Sequence, residues 1–175
     1  MELTFAPRNI LQIDDARIIY RNFRGEGGKF NREGDRNFAL VIPTEDMADA
    51  LVKEGWNVKI KPPRDDEDSP FMYLPVKVKF TKVELRHEHS AKVKYARRGP
   101  QIYLVTGNYR NKLDEEAVPM LDEIDISSVN LDIRPYDWEI NGATGRTAYL
   151  QSMKVIQEID RFAAAYAAEE SPEDE

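Results

Sequence analysis

The chain has 175 residues, a net charge of −7, 41% hydrophobic and 33% charged residues, and no cysteine. This length favours one domain with a substantial core, and the lack of cysteine excludes disulfides, thiolate metal sites and cysteine nucleophiles. No apolar run approaches the roughly 18 residues of a membrane span, and the start, MELTFAPRNILQIDD, lacks a signal-peptide pattern, so we expect a cytoplasmic protein with no membrane attachment.

The first predicted elements are two strands joined by a glycine-rich segment. Residues 10–20, ILQIDDARIIY, and residues 36–42, RNFALVI, have the composition of paired strands. The segment that links them belongs to the stretch RNFRGEGGKFNREGDRNFAL, residues 21–40, which places four glycines among five basic side chains and three phenylalanines. We expect this segment to form a flexible loop between the two strands.

One helix is predicted after the second strand, in PTEDMADALVKEGW, residues 43–56. Thr44 can cap the start of the helix after Pro43, and Gly55 can end it. An apolar stripe at helical spacing would face the core and consists of Met47, Leu51 and Val52.

Three segments alternate apolar side chains with lysine, as half-buried strands do. They are NVKIK (57–61), PVKVKF (75–80) and AKVKY (91–95). The side chains expected to face the core are Val58, Ile60, Val76, Val78, Phe80, Val93 and Tyr95. The opposite, exposed face would carry Lys59, Lys61, Lys77, Lys79, Lys92 and Lys94.

The remaining elements complete a mainly β chain. QIYLVT (101–106) predicts a strand, and LDEEAVPMLDEI (113–124) predicts a short helix with Asp114 as its cap. The arms VNLDIRPYDWEI and RTAYLQSMKVI flank NGATG, which is a strong hairpin signal. The end, QEIDRFAAAYAAEE, has helical composition. This order fits a small, mainly antiparallel β-barrel with one or two short helices and a helical C-terminal end.

The glycine-rich stretch does not fit a nucleotide-binding loop. A P-loop requires Gly-Lys-Ser/Thr, but Gly28 and Lys29 are followed by Phe30, and Gly25 stands at the wrong spacing. The dinucleotide pattern also fails, because Phe30 occupies the position of its third glycine.

Two interpretations of the stretch remain. In the first, it grips a nucleic-acid strand through cations on the phosphates, supplied by Arg21, Arg24, Lys29, Arg32 and Arg36, and through base stacking by Phe23 and Phe30. In the second, it is an ordinary hairpin loop whose phenylalanines pack onto the barrel.

Further candidate contacts to nucleic acid lie outside this stretch. If the lysine faces of the alternating strands are neighbours, they form a positive surface suited to phosphates, although surface lysines also discourage edge-to-edge aggregation. The predicted hairpin adds Arg134, Tyr136, Trp138 and Arg146, a pattern that a barrel core with a rim arginine would also show. The segment GNYRNK adds a smaller patch, formed by Tyr109, Arg110 and Lys112.

Signatures of catalysis or of a bound metal are weak. His87 and His89 are the only histidines and lack a third ligand nearby in sequence. The acidic run DDED (65–68) is typical of a solvated loop, and Asp137 and Glu139 lack the lysine that a nuclease would need nearby. We therefore predict no enzyme activity, no cofactor and no metal site.

The C-terminal tail is strongly acidic. Its last seven residues, EESPEDE, hold five carboxylates and no basic side chain, and without them the net charge would be −2. Such a segment is too polar to fold alone. It could confer solubility, compete with nucleic acid for a basic face, or recruit basic partners.

The order of GGKFNREGDRNFAL, EGWNVK, VNLDIRPYDWEINGATGRTAYLQSMKV and an acidic end resembles the single-stranded DNA-binding proteins of tailed phages. The resemblance spans residues 10–160. It implies an OB-fold domain over residues 1–160, followed by a helical end and acidic tail over 161–175. It also implies sequence-independent binding of single strands in phage DNA replication and recombination, with the DNA groove lined by basic and aromatic positions of 23–36 and 134–146.

In that family the tail would contact replication or recombination proteins. Many tails of the family finish on an aromatic or apolar residue, whereas this chain ends in Glu173, Asp174 and Glu175. Homo-oligomers are compatible with the sequence. The alternatives to DNA binding are a phage-encoded protein-binding module, whether adaptor or inhibitor, that uses its charged faces, and a divalent-metal nuclease.

Overall fold

The structure, a computed structural model, describes residues 1–63, 65, 69–85, 92–160 and 162. Most of these residues are in strands, with one α-helix, α1 (Glu45–Lys53), and two 3-10 helices, Pro7–Asn9 and Val118–Asp122. The strands are β1 (Glu2–Phe5), β2 (Leu11–Ala16), β3 (Ile18–Asn22), β4 (Arg36–Ile42), β5 (Lys59–Lys61), β6 (Phe71–Val78), β7 (Thr81–Leu85), β8 (Lys94–Arg98), β9 (Gln101–Thr106), β10 (Tyr109–Leu113), β11 (Ile126–Ile140) and β12 (Ala143–Gln157).

The barrel closes because β2 and β3 behave as one bent strand, interrupted at Arg17. β3 pairs with β4, β4 with β6, and β6 runs parallel to β12. β12 then pairs with β11, and β11 returns to β2. This ring of five strands, with one parallel neighbour pair, is the arrangement of an OB fold. The predicted mainly β, OB-like fold is therefore confirmed.

The core follows the alternation of β4 and β6. Phe38 and Leu40 of β4 are paired with Val76 and Leu74 of β6, and all four side chains are buried. Each side chain of this size contributes about 1.5–3 kcal/mol when it is removed from water. The side chains of β4 and β6 that alternate with these buried residues therefore lie on the outer face of the barrel, where they are available for a binding surface.

The single predicted helix forms where its caps place it. The Oγ1 atom of Thr44 accepts a hydrogen bond of 3.2 Å from the backbone N–H of Met47, and α1 ends before Gly55. Ala48 and Leu51 are the buried positions, whereas Val52 is exposed. The apolar stripe of the helix is thus narrower than predicted.

Alternation predicts a core face correctly only where a second layer covers the strand. On β6 the expected pattern holds, with Val76 and Val78 buried. The predictions for Ile60, Val93 and Tyr95 are wrong, because all three are exposed. β5 is a three-residue strand at the edge of β6, and β8 pairs only with β7 in a separate two-stranded sheet.

The predicted C-terminal hairpin is also observed. β11 and β12 pair over their full length around a turn at Asn141 and Gly142, whose φ values of 52° and 83° fit a type I′ turn. The Arg146 side chain fixes the outer part of the hairpin, since it hydrogen-bonds both carboxylate oxygens of Asp137 and the backbone carbonyl of Glu54.

A 3-10 helix replaces the α-helix predicted over residues 113–124. Asp114 does accept a hydrogen bond from the N–H of Ala117, but the helix is confined to Val118–Asp122. In the predicted α-helix, which Asp114 would cap, Pro119 would be the fifth residue and would supply no N–H donor to the carbonyl of Glu115, so the α-helical ladder is interrupted there.

This 3-10 helix holds the start of the glycine-rich loop. The carboxylate of Asp122 accepts hydrogen bonds from the backbone N–H groups of Phe23 (2.8 Å) and Arg24 (2.9 Å). The Nη1 atom of Arg21 donates to the carbonyls of Leu121 (2.6 Å) and Ile124 (2.7 Å). The end of β3 is therefore tied to a segment about one hundred residues further along the chain.

The helical end and acidic tail are predicted over residues 161–175, and all of these except Phe162 lie outside the described residues. The domain boundary at residue 160 therefore stays a prediction. Among the residues that the structure describes, no helix is long and apolar enough to cross a membrane.

We expect replacement of Asp122 by alanine to lower the free energy of unfolding by about 1–3 kcal/mol, because two backbone donors lose a charged acceptor. Asp125→Ala is the matched control, since Asp125 is an exposed carboxylate of the same segment, and its effect should stay within about 0.5 kcal/mol. Urea denaturation measures both values. Equal stability of the two variants would contradict the assigned role of Asp122.

Candidate nucleic-acid interface

An open groove of about 950 Å³ runs across the outer face of β4 and β6. One side is formed by the loop of residues 23–35, defined here as the glycine loop, which contributes Phe30 and Arg32. The other side is formed by Phe80 and Arg97, at the base of the β7–β8 hairpin. The outer face of these two strands, with the loops beside it, is where OB folds bind oligonucleotides.

Three neighbouring strands supply a row of side chains to the floor of the groove, and a fourth strand, β11, continues the row beside it. The register pairs Asn37 with Lys77, Lys77 with Tyr149, and Tyr149 with Arg134. Residues paired in this way project from the same face of a sheet. We call these four residues the cross-strand row. The guanidinium carbon of Arg134 lies 4.8 Å from the centre of the Tyr149 ring, so cation and aromatic surfaces adjoin.

A second cluster of rings and cations lies at the start of β6. Tyr73 contacts Phe71 with ring centres 5.6 Å apart and Tyr20 with ring centres 5.8 Å apart. β5 places Lys59 opposite Tyr73 and Lys61 opposite Phe71. The Nζ atom of Lys61 donates to the hydroxyl of Tyr20 at 2.9 Å. This arrangement offers ring faces and positive charge on the same outward surface.

The three lysine pairs predicted from alternation do not all lie on one surface. The pair on β5 and the pair Lys77 and Lys79 lie on or beside β6, on one outward surface. Lys92 and Lys94 belong instead to the β7–β8 hairpin, which is not hydrogen-bonded to the barrel sheet as a strand neighbour. Two of the three pairs therefore share the face of the groove.

The glycine loop has a hydrogen-bonded shape where the sequence predicted a flexible one. The N–H of Gly34 donates to the carbonyl of Gly25 at 2.8 Å, which closes the loop at its base. The Nδ2 atom of Asn31 donates to the carbonyls of Glu26 and Asp35, both at 2.9 Å. Asn37, from the cross-strand row, donates in turn to Oδ1 of Asn31. The loop is thus connected to the groove floor through Asn31.

The two phenylalanines of the loop have opposite environments. Phe30 is 94% exposed, with the Nζ atom of Lys29 5.4 Å from its ring centre. Phe23 is 0% exposed and stacks on Phe38 in the core, with ring centres 5.4 Å apart. The prediction that Phe23 stacks on a base is therefore wrong, because Asp122 holds its backbone against the barrel. The ring of Phe30 remains available to stack on a base.

The predicted phosphate-binding arginines are already engaged within the protein to different degrees. Arg21 is bound to two backbone carbonyls, as described above. Arg36 donates to the carbonyl of Glu115 at 3.0 Å and lies over the ring of Phe80, while Arg24 forms an ion pair with Glu123. Arg32 is largely exposed, with a weak contact of 3.5 Å to Asp35. Within the loop, Lys29 and Arg32 are therefore the cations best placed to meet a ligand.

The candidate residues of the β11–β12 hairpin also divide into those that are exposed to a ligand and those that are engaged within the protein. Tyr136 is exposed on β11 and contacts Tyr149, with ring centres 6.0 Å apart. Trp138 is partly covered, because its ring lies over Gly145. Arg146 is paired with Asp137, and its hydrogen bonds hold the pKa of that carboxyl below its usual range. Arg146 therefore supports the hairpin, whereas Arg134 and Tyr136 extend the groove surface.

The smaller predicted patch lies elsewhere. Tyr109, Arg110 and Lys112 are exposed on β10, which pairs with β9 and not with the groove strands. Arg110 lies 5.3 Å from the ring of Tyr103. The structure therefore does not bring this patch to the cross-strand row.

Sequence reasoning missed three rings that line the groove, namely Tyr20, Tyr73 and Tyr149, and also missed Phe71, which contacts Tyr20 and Tyr73. Two signals could have found two of these rings. Tyr73 has the same parity as Lys77 on β6, and counting back from the Asn141–Gly142 turn places Tyr149 opposite Arg134.

No group of three or more histidine, aspartate or glutamate side chains could hold a metal ion in the part of the chain that the structure describes. The predictions made for His87, His89 and most of the acidic run fall on residues 86–91 and 66–68, outside that part.

Solved structures share this fold. The C-terminally truncated single-stranded DNA-binding protein from bacteriophage Enc34 superimposes with a TM-score of 0.52 at 14% identity, over 91% of this chain and 97% of that one. The same phage protein in complex with single-stranded DNA gives a TM-score of 0.50 at 14% identity, over 92% and 93% of the two chains. A further structure of the single-stranded DNA-binding protein from bacteriophage Enc34 gives a TM-score of 0.52 at 13% identity, over 95% and 99% of the two chains.

No curated protein sequence matches the chain significantly. A family model does match, over residues 2–174, and its description is "Putative phage ssDNA-binding domain". The match spans nearly the whole chain and agrees with the OB barrel and the basic, aromatic groove. The chain belongs to this family of phage single-stranded DNA-binding domains.

Proposed function

We propose that this protein binds single-stranded DNA without sequence preference, during phage DNA replication and recombination in the cytoplasm of the host cell. The observation that carries the proposal is the cross-strand row, which brings Asn37, Lys77, Tyr149 and Arg134 together on the outer face of an OB barrel. Family membership and the fold shared with a phage protein solved with single-stranded DNA support it.

The chemistry of the groove suits an unpaired strand. Cations along a groove neutralise phosphates and release condensed counterions, which supplies affinity that is independent of sequence. Exposed rings such as Tyr20 and Phe30 can stack on any base, and each such stack contributes about 1–3 kcal/mol. A duplex hides the faces of its bases, so stacking selects the single strand.

The shape of the glycine loop supports the same function. The hydrogen bonds of Asn31 hold the loop beside the groove before a ligand arrives. A loop that is already ordered loses less conformational entropy on binding. Phe30 and Arg32 are thereby presented at the groove wall. We also propose that the protein acts by binding alone and is not an enzyme.

A titration with oligo-dT at low salt tests the proposed function. Binding should quench or shift tryptophan fluorescence, because Trp138 lies in the hairpin next to Tyr136, and it should weaken steeply as salt is added. Absence of both a fluorescence change and a gel shift would contradict the proposal. Degradation of the oligonucleotide that requires magnesium would show the nuclease alternative instead.

Replacing Lys77 and Arg134 together with alanine should lower affinity for oligo-dT about tenfold or more at 0.15 M salt. The plot of log affinity against log salt should also become shallower by about 1.4, since each phosphate contact to a single strand contributes roughly 0.7. The control is Arg8→Ala with Lys53→Ala, which removes the same charge from exposed positions outside the groove. An equal loss in the control would show that only net charge matters.

The pair Phe30→Ala and Phe23→Ala separates binding from folding. Phe30→Ala should weaken oligo-dT binding by about 1–3 kcal/mol and change the free energy of unfolding by less than about 0.5 kcal/mol. Phe23→Ala should destabilise the fold by about 3–5 kcal/mol, because it leaves a cavity in the core. Fluorescence titration and urea denaturation measure the two effects. Full affinity of a folded Phe30→Ala protein would remove Phe30 from the proposed interface.

A further inference from the structure

The β7–β8 hairpin leaves the barrel wall at one side of the groove. β6 and β9 both run parallel to β12, with β6 opposite Ala148 and Tyr149 and β9 opposite residues 152–156. The chain between these two strands departs after Val78 and returns at Gln101. The hairpin therefore begins directly after the end of β6, next to the residue that β6 contributes to the cross-strand row.

The hairpin is strongly basic within an acidic protein. Its described residues, 79–85 and 92–98, include six lysines and arginines and one glutamate, whereas the whole chain carries a net charge of −7. The glycine loop and its flanks, residues 21–36, are more balanced, with five basic and three acidic side chains. A concentration of positive charge of this kind attracts a polyanion.

The base of the hairpin is fixed to the groove. The Phe80 ring lies against Gly99 and leaves no room for a β-carbon there, and the guanidinium of Arg36 lies 5.1 Å from the centre of the same ring. Arg97 donates two hydrogen bonds to the carboxylate of Glu115, at 2.7 and 3.1 Å. These bonds hold the pKa of the Glu115 carboxyl below its usual range.

One face of the hairpin combines a ring with cations. The register places Lys82 opposite Arg97 and Glu84 opposite Tyr95, so these four side chains project from one face. Tyr95 is 56% exposed, and the Nζ atom of Lys82 lies 4.0 Å from its ring centre. A ring beside an ammonium group is the same combination that the groove offers, and it suits a base and its phosphate.

We infer that the β7–β8 hairpin is a second contact for the same single strand, which it grips where the strand leaves the groove. The inference rests on the proposed function, because it extends the path of the DNA beyond the cross-strand row. Tyr95 would stack on a base, with Lys82 beside it on the same face to neutralise a phosphate. Lys94 and Arg98, which the register places on the opposite face of this two-stranded hairpin, would neutralise phosphates that pass along its edge. Arg97 is a positioning residue, since its side chain is bound to Glu115 at the base of the hairpin.

The test compares a short and a long oligonucleotide on the full-length chain. Oligo-dT of about 6 nucleotides should occupy the groove alone, whereas about 25 nucleotides exceeds the range of site sizes for one OB fold. The hairpin variant is Lys82→Ser, Lys94→Ser and Arg98→Ser, all at exposed positions. The charge-matched control is Arg8→Ser, Arg17→Ser and Lys53→Ser, exposed and outside the groove and the hairpin.

For the long oligonucleotide, the hairpin variant should lose about tenfold or more in affinity, and its salt dependence should become shallower by about 2, from three lost phosphate contacts. For the short oligonucleotide, its affinity should stay within about twofold of wild type. Tyr95→Ala should also lose affinity only for the long oligonucleotide, but with an unchanged salt dependence, because no charge is removed.

Each of the other outcomes would overturn either the proposed function or the inference about the β7–β8 hairpin. If the wild-type chain binds neither oligonucleotide, the proposed function fails. If the wild type binds both and the hairpin variant matches the control on the long one, the inference fails and the hairpin is a surface for another acidic partner. If the hairpin variant loses affinity equally for both lengths, the hairpin belongs to the groove itself and is not a second contact. Thermal melting confirms that each variant is folded.

Discussion

The parallel pairing of β6 with β12 is the contact on which the rest of the structure depends. It consists of two register pairs, Ala148 with Val76 and Tyr149 with Lys77. These pairs close the ring of strands, because they join the half that contains β3, β4 and β6 to the half that contains β11, β12 and β2. They also set the binding surface, since Lys77 adjoins Tyr149 only in this register. Because this pairing is short, β6 ends soon after it, and β9 pairs with the next part of β12.

The charges of the protein divide into two groups with different tasks. Arg21, Arg36 and Arg146 bind backbone carbonyls or carboxylates and hold loops and hairpins in position. Arginine suits this work because its planar group can donate several hydrogen bonds in fixed directions. The lysines of β5, β6 and the β7–β8 hairpin project outward, and they present mobile point charges to a ligand. Arg32 and Arg134 are also exposed, so bonding within the protein, and not residue type alone, separates structural cations from those that can meet phosphates.

Local patterns predicted the elements that depend on neighbours in sequence. Alternation located β6, the caps of Thr44 and Gly55 located α1, and the Asn141–Gly142 turn located the β11–β12 hairpin. Patterns failed where distant segments decide. Phe23 is buried because Asp122 binds its backbone, and Tyr95 is exposed because no second layer covers β8 in the described structure. Neither fact is contained in the residues nearby.

The cross-strand row draws its members from residues 37, 77, 134 and 149, and the glycine loop is held by Asp122. The binding surface is therefore assembled late during synthesis on the ribosome. A nascent chain that has not yet reached Tyr149 has its basic loop and its lysine strands but no groove floor to support them. Contacts between residues so far apart in sequence also make folding slow compared with that of local hairpins. Only a chain complete through β12 can display the whole site.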